Sequence, residues 1–223
     1  MENEKLQKPS PADLQRLREL EQQEDGAWST EYEELWNAFD WKPELILEGG
    51  KCGLKSLLGE LILPVNFEDV KLLSATIVEK GDRIVAQQNG KWGVVLADGE
   101  GPWLVKPEFD YIGYPNNITH VQKDGKWGVI DISKNEFLIQ PECEYVNDDN
   151  GFMFINGISI YEKDGKTGVI TSYGAHTEPI FEEVEFDPEG PVKVKSDGKW
   201  GFITEDNRFT EDEEEAGYYF EDL

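Results

Sequence analysis

Asp124-Gly125-Lys126-Trp127-Gly128-Val129 is the stretch that decides how this chain folds. An Asp-Gly pair set between alternating apolar residues marks a two-residue hairpin, because a type I′ turn needs positive φ at both central positions. The same signature recurs as Gly49-Gly50-Lys51-Cys52-Gly53-Leu54, Asn89-Gly90-Lys91-Trp92-Gly93-Val94, Asp164-Gly165-Lys166-Thr167-Gly168-Val169 and Asp197-Gly198-Lys199-Trp200-Gly201-Phe202. The glycine before the lysine falls at 50, 90, 125, 165 and 198, so the spacings are 40, 35, 40 and 33 residues. A period of this length belongs to repeat architectures in which each unit buries its faces against its neighbours.

Between these hairpins lies a second signature: Phe67-Glu68-Asp69-Val70, Phe109-Asp110-Tyr111-Ile112, Cys143-Glu144-Tyr145-Val146 and Phe181-Glu182-Glu183-Val184. A proline stands two or three residues ahead of each, at Pro64, Pro107, Pro141 and Pro179. Counting outward from the turns sets Ile46 opposite Gly53, Ala86 opposite Gly93, Val121 opposite Gly128, Tyr161 opposite Gly168 and Val194 opposite Gly201. A glycine recurring inside a strand implies close backbone approach or a large side chain over the gap. Trp92, Trp127 and Trp200 fall on the same face as Val94, Val129 and Phe202, so both faces carry apolar matter. With the proline segment adding a strand or two, each repeat holds three or four strands. Tryptophans repeated at one register are expected in the core between repeats.

A Asp-Gly-Lys-Trp-Gly motif followed by a proline, an aromatic residue, an acid and a valine resembles the WG-repeat (KWG-repeat) family of bacterial proteins, here over about residues 44–204. Cys52 and Thr167 depart from it where tryptophan is usual. The resemblance implies an all-β repeat protein and a bacterial source, and it does not by itself imply an enzymatic activity. Units of this size match propeller blades, so the expected fold is five hairpin-based repeats in a propeller-like ring, with an open curved β array as the alternative.

The flanks read differently. Residues 1–43 predict a small helical cap. Ser10-Pro11-Ala12-Asp13 is a helix start, Leu14, Leu17 and Leu20 form one stripe, and Gly26 is expected to end the element. A second helix from about Thr30 carries Tyr32, Leu35, Trp36 and Phe39 on one face and closes before Pro43. The pair is expected to cover an edge of the first repeat. Residues 205–223 form an acidic C-terminal tail of nine carboxylates and Arg208, with Tyr218, Tyr219 and Phe220 placed to dock on the last repeat.

Over its 223 residues the chain has 47 Asp plus Glu against 21 Lys plus Arg, a net charge of −26 and a pI near 4.3. That balance argues against direct binding of nucleic-acid phosphates, which needs clustered cations, and against docking on anionic membranes. Seven Trp, eight Tyr and eleven Phe are too many for a disordered acidic chain. The start, Met1-Glu2-Asn3-Glu4-Lys5, lacks the pattern of a secretory signal, and two cysteines, Cys52 and Cys143, are too few for a disulfide scaffold. A cytoplasmic protein with reduced thiols is expected.

Catalytic candidates are few. His120 lies in a predicted strand, where a surface or half-buried structural place is expected, and His176 lies in a loop. Cys143 could pair with either, yet it replaces the phenylalanine of its repeat and reads as a small buried hydrophobe. Asp164-Gly165-Lys166-Thr167 imitates the end of a phosphate loop, but Ile160 stands where that loop needs glycine. Asn147-Asp148-Asp149-Asn150-Gly151 imitates a calcium loop, with Val146 at its first ligand position. No spacing suits zinc. The chain is therefore expected to have no catalytic residues, no metal and no cofactor.

The function expected is protein binding: an immunity protein that neutralises a cognate basic toxin, with a general scaffold or adaptor as the second reading. A sugar-binding protein or an enzyme with a pocket in the ring is the third. The residues expected to face a basic partner are Asp148 and Asp149, with Glu211, Asp212, Glu213, Glu214 and Glu215 of the tail.

Overall fold

Each hairpin turn adopts the backbone that its sequence demands. In the computed structural model φ is positive at both central residues of all five: Gly49 and Gly50, Asn89 and Gly90, Asp124 and Gly125, Asp164 and Gly165, Asp197 and Gly198. The structure describes residues 7–23, 29–72, 77–147, 154, 157–185, 191–204, 208–212, 214 and 216.

Two helices come first. α1 (Pro11–Glu21) begins at a capping box in which the Asp13 N–H donates to Ser10 Oγ and the Ser10 N–H donates to Asp13 Oδ2 at 2.8 Å. Leu14, Leu17 and Leu20 are its buried stripe. The helix stops at Glu21 with Gln22 as its cap, ahead of Gly26, which lies outside the described residues. α2 (Thr30–Ala38) starts from Ser29, and Trp36 stacks between Tyr32 and Trp41 at 5.9 and 5.7 Å. Trp41 donates its indole N–H to the Trp36 carbonyl at 2.8 Å. This small core closes on Leu57 and Ile77.

The rest is antiparallel sheet. β1 (Glu44–Glu48), β2 (Lys51–Lys55) and β3 (Leu61–Phe67) form the first, in that order. β4 (Asp69–Lys71), β5 (Arg83–Gln88), β6 (Lys91–Leu96) and β7 (Trp103–Phe109) form the second. In the third, β8 (Tyr111–Ile112), β9 (Ile118–Lys123), β10 (Lys126–Asp131) and β11 (Glu136–Cys143) lie side by side. β12 (Tyr145–Val146), β13 (Ile158–Lys163) and β14 (Lys166–Thr171) form the fourth, where Thr167 bridges Phe181 beyond β14. β15 (Glu183–Glu185), β16 (Lys193–Ser196), β17 (Lys199–Ile203) and β18 (Phe209–Thr210) complete the fifth. The chain is thus mostly β, in several small antiparallel sheets. It divides into two compact units, Met1–Asn89 with Val95–Trp103 and Gly90–Val94 with Leu104–Leu223.

The pairings counted from the turns hold for Ile46–Gly53, Val121–Gly128, Tyr161–Gly168 and Val194–Gly201. The inner glycine is a packing requirement. A Cβ at Gly53 would sit 2.7 Å from the Leu63 carbonyl oxygen, and one at Gly128 would sit 2.7 Å from the Ile139 oxygen. Both glycines coincide with register shifts in the neighbouring strand, so the partner backbone bulges inward over them. At Gly168 the gap is filled instead by the ring of Tyr161.

Apolar clusters join successive repeats. In the first unit Leu54, Leu63 and Phe67 pack with Ile84, Ala86 and Val95. In the second, Val129 and Cys143 pack with Val146, Tyr161 and Ile170, and Ile158 and Val169 pack with Phe181, Val194 and Ile203. The motif tryptophans are not the centre of these clusters, contrary to the sequence expectation. Trp92 and Trp127 are half-buried and Trp200 is 42% exposed. The tryptophan follows the turn lysine directly and so sits at the end of the sheet. Val94 and Val129, two residues further along, are fully buried.

Candidate functional site

The motif lysine meets the acid of the second signature in the first four repeats, and Glu211 in the last. Lys51 reaches Glu68 at 3.2 Å, Lys126 reaches Glu144 at 2.8 Å, and Lys166 reaches Glu182 at 3.6 Å. Lys91 pairs with Asp110, and Lys199 with Glu211 at 2.7 Å. Three of these acids hold the following repeat as well. Asp110 accepts from the Asp124 N–H at 2.7 Å, Glu144 from the Asp164 N–H at 3.0 Å, and Glu182 from the Gly198 N–H at 3.2 Å. One carboxylate thereby links a lysine of its own hairpin to the turn of the next. The lysine and the turn N–H keep Asp110 and Glu144 below the usual carboxylate range, and their partners raise Lys91 and Lys126. Sequence reasoning missed this clamp, although its signal was an acid two residues before each Val or Ile.

Glu211, expected to face a partner, occupies the clamp of the last repeat. Asp212 instead ties the chain locally: its N–H donates to Thr210 Oγ1 at 3.1 Å, and its carboxylate accepts from the Glu214 N–H at 3.0 Å. β18 carries repeat structure as far as Thr210, within the stretch read as tail. Asp148, Asp149, Glu213 and Glu215 lie outside the described residues, as do Tyr218, Tyr219 and Phe220.

His120 is fully buried, not at the surface or half-buried as its sequence position suggested. Its imidazole packs between Tyr111 and Trp127 at 5.5 and 5.6 Å, and Gly113 leaves room for the ring. His176 is exposed, with Nδ1 3.0 Å from the Gly174 carbonyl. It lines a groove of about 430 Å³ together with Cys143, Tyr161, Lys163, Lys166 and Glu178. Of the sequence candidates, the structure therefore brings Cys143 and His176 to one groove. Burial pushes the Cys143 thiol up to about 11, so at neutral pH the sulfur is protonated, the opposite of an activated nucleophile. Burial also raises Tyr161, whose hydroxyl donates to the Thr177 carbonyl. Lys163 is held by Glu142 at 2.5 Å. Among the described residues no group of three or more His, Cys, Asp or Glu is placed to hold a metal ion, and no helix is long and apolar enough to cross a membrane.

Exposed apolar side chains lie in both units. Leu45, Leu47, Leu58 and Leu61 are exposed in the first, Leu47 the most at 73%. Tyr173, Ile180 and Trp200 are exposed in the second, with Lys195 Nζ 5.8 Å from the Trp200 ring centre.

The family model of the WG containing repeat matches residues 96–127 and 127–166. No curated protein matches the chain. Two solved structures of Kluyveromyces lactis Hsv2 are similar to it at 12% identity and a TM-score of 0.32. One is the Hsv2 structure with a complete loop 6CD. The alignments cover 74% and 76% of this chain, and this chain spans 57% and 59% of theirs.

Proposed function

We propose that this chain, a WG-repeat protein over residues 96–166, is a non-enzymatic protein-binding module that works in the cytoplasm. The finer reading is an immunity protein that neutralises a cognate basic toxin. The observation that carries it is the charge: a net −26 on a repeat scaffold whose motif lysines are taken up internally by the clamps. The remaining negative charge has no internal counterpart and suits a basic protein surface, while exposed side chains such as Trp200 and Leu47 supply apolar anchors. The same charge argues against nucleic acid and anionic membrane as partners. The protonated Cys143 and the buried His120 support a role without catalysis or cofactor.

The repeat spacing of 33 to 40 residues supports a propeller-like ring as the arrangement of the sheets. A second reading, a pocket for a sugar or another small ligand, has one observation in its favour, the groove at Cys143 and Tyr161.

Affinity capture with the purified full chain tests the main reading. The expected result is a basic protein whose toxicity is suppressed when the two are produced together. Capture of an acidic partner, or of a basic one whose activity is unaffected, contradicts it.

A further inference from the structure

Among the described residues, the first hairpin lacks a strand that every later hairpin has. In the four later repeats the acidic signature runs on into a short strand that pairs with the outer side of the hairpin. Val70 lies opposite Ala86, Ile112 opposite Val121, Val146 opposite Tyr161 and Val184 opposite Val194. One residue earlier, Asp69, Tyr111, Tyr145 and Glu183 face Gln87, Gln122, Glu162 and Lys195. The acid before that donates its own N–H to the carbonyl of Gln87, Gln122, Glu162 or Lys195 at 2.8–2.9 Å. In the first sheet the order is β1-β2-β3, and among the described residues no strand pairs with the outer edge of β1. The apolar cluster of the two helices packs with Leu57 and Ile77.

The side chains of β1 differ from their counterparts in a consistent way. Leu47 stands where the later hairpins have Gln87, Gln122, Glu162 and Lys195, and is 73% exposed. Glu48 stands where two of them have Lys123 and Lys163, which pair with Glu108 at 2.7 Å and Glu142 at 2.5 Å. An open edge with an exposed leucine invites aggregation unless something pairs with it.

We propose that the outer edge of β1 binds an extended segment of a partner protein, added as the missing strand. This rests on the protein-binding reading and states what the partner supplies. The register of the other repeats specifies the segment. A Val or Ile lies opposite Ile46, and an aromatic or aliphatic residue lies opposite Leu47. Before these comes an Asp or Glu whose N–H donates to the Leu47 carbonyl and whose carboxylate accepts from the turn at Gly49 and Gly50. Two residues earlier, where Glu108 and Glu142 meet lysines, the charges are exchanged: Glu48 requires a Lys or Arg. The partner motif is therefore basic residue, any residue, acid, aromatic or aliphatic residue, Val or Ile.

A fluorescent peptide carrying lysine, phenylalanine, aspartate, tyrosine and isoleucine in that order, and its twin with glutamate for lysine, are titrated against the full chain by polarisation. The wild type is expected to prefer the lysine peptide. Glu48→Lys should reverse the preference, about threefold in each direction, as a cross-strand charge pair warrants. Leu47→Gln should weaken both peptides without moving the thermal midpoint. No binding of either peptide to the full chain, or a preference unchanged by Glu48→Lys, overturns the proposal. If a captured basic partner binds the Leu47→Gln, Glu48→Lys double variant as tightly as the wild type, the edge is overturned while the protein-binding reading stands. The reversal of preference supports the edge even if no basic partner is found.

Discussion

Gly125 and Gly128 stand three residues apart and are required for different reasons. At Gly125 the surroundings are open but φ is +77°, so Gly125→Ala should cost about 1–2 kcal/mol through backbone strain alone. At Gly128 the backbone of β11 fills the space, with Pro141 N and Ile139 O each 2.7 Å from where a Cβ would sit. Gly128→Ala should cost roughly 1–3 kcal/mol and should alter the β10–β11 pairing. Urea titration measures both, and hydrogen exchange at β11 separates them: protection should fall there in Gly128→Ala and not in Gly125→Ala. Cys143 and Tyr161 are a second linked pair. A small residue replaces phenylalanine at 143, and a large one stands at 161 where the other repeats have Ile46, Ala86, Val121 and Val194. Cys143→Phe alone should overfill the cluster, and adding Tyr161→Val should relieve it, with a coupling of about 1–2 kcal/mol in a double-mutant cycle. Additive effects would show that the two do not share the space. Burial also links the Cys143 thiol to pH. Its value rises from an ordinary 9.0 to about 11, so the protonated form favours the fold below pH 9, and that contribution is lost as pH climbs through about 11. Cys143→Ala should flatten the decline of the urea midpoint over this window.

At the scale of the strand, the turns and the register were legible because both are local. Positive φ at Asp-Gly and Asn-Gly follows from the residues themselves, and the cross-strand partners follow by counting. Two non-local features were not legible. The burial of Trp127 depends on its place at the end of the sheet, which its spacing does not report. The clamp depends on carboxylates 12 to 19 residues away in sequence, such as Glu68 from Lys51, which only the folded bend brings together. The clamp makes a pH prediction of its own. Asp110 and Glu144 are held below the usual carboxylate range, so their contribution is present at neutral pH and is lost as pH falls through their lowered values. Glu144→Gln should reduce the acid sensitivity of the thermal midpoint and change the neutral midpoint little, because the pair is solvent-exposed. A midpoint that stays equally acid-sensitive would remove Glu144 from the account.

At the scale of the molecule, charge is spread unevenly. The first 48 residues carry about −8, residues 49–204 about −10 and residues 205–223 about −8, by summing the acidic and basic residues of each stretch. The last block is the densest, but Glu211 within it is already paired with Lys199. Its acidic residues should therefore separate by role. Glu211→Gln should change the thermal midpoint little, because its pair with Lys199 is at least as solvent-exposed as the Glu144 pair, whereas neutralising Asp212, Glu213, Glu214 and Glu215 together should slow association with a basic partner. The most direct test of a charge-guided protein-binding module is the rate of that association, followed by surface plasmon resonance as salt is raised. The association rate is predicted to fall steeply with ionic strength while dissociation changes less, because complementary charge mainly speeds encounter. An association rate indifferent to salt would contradict it.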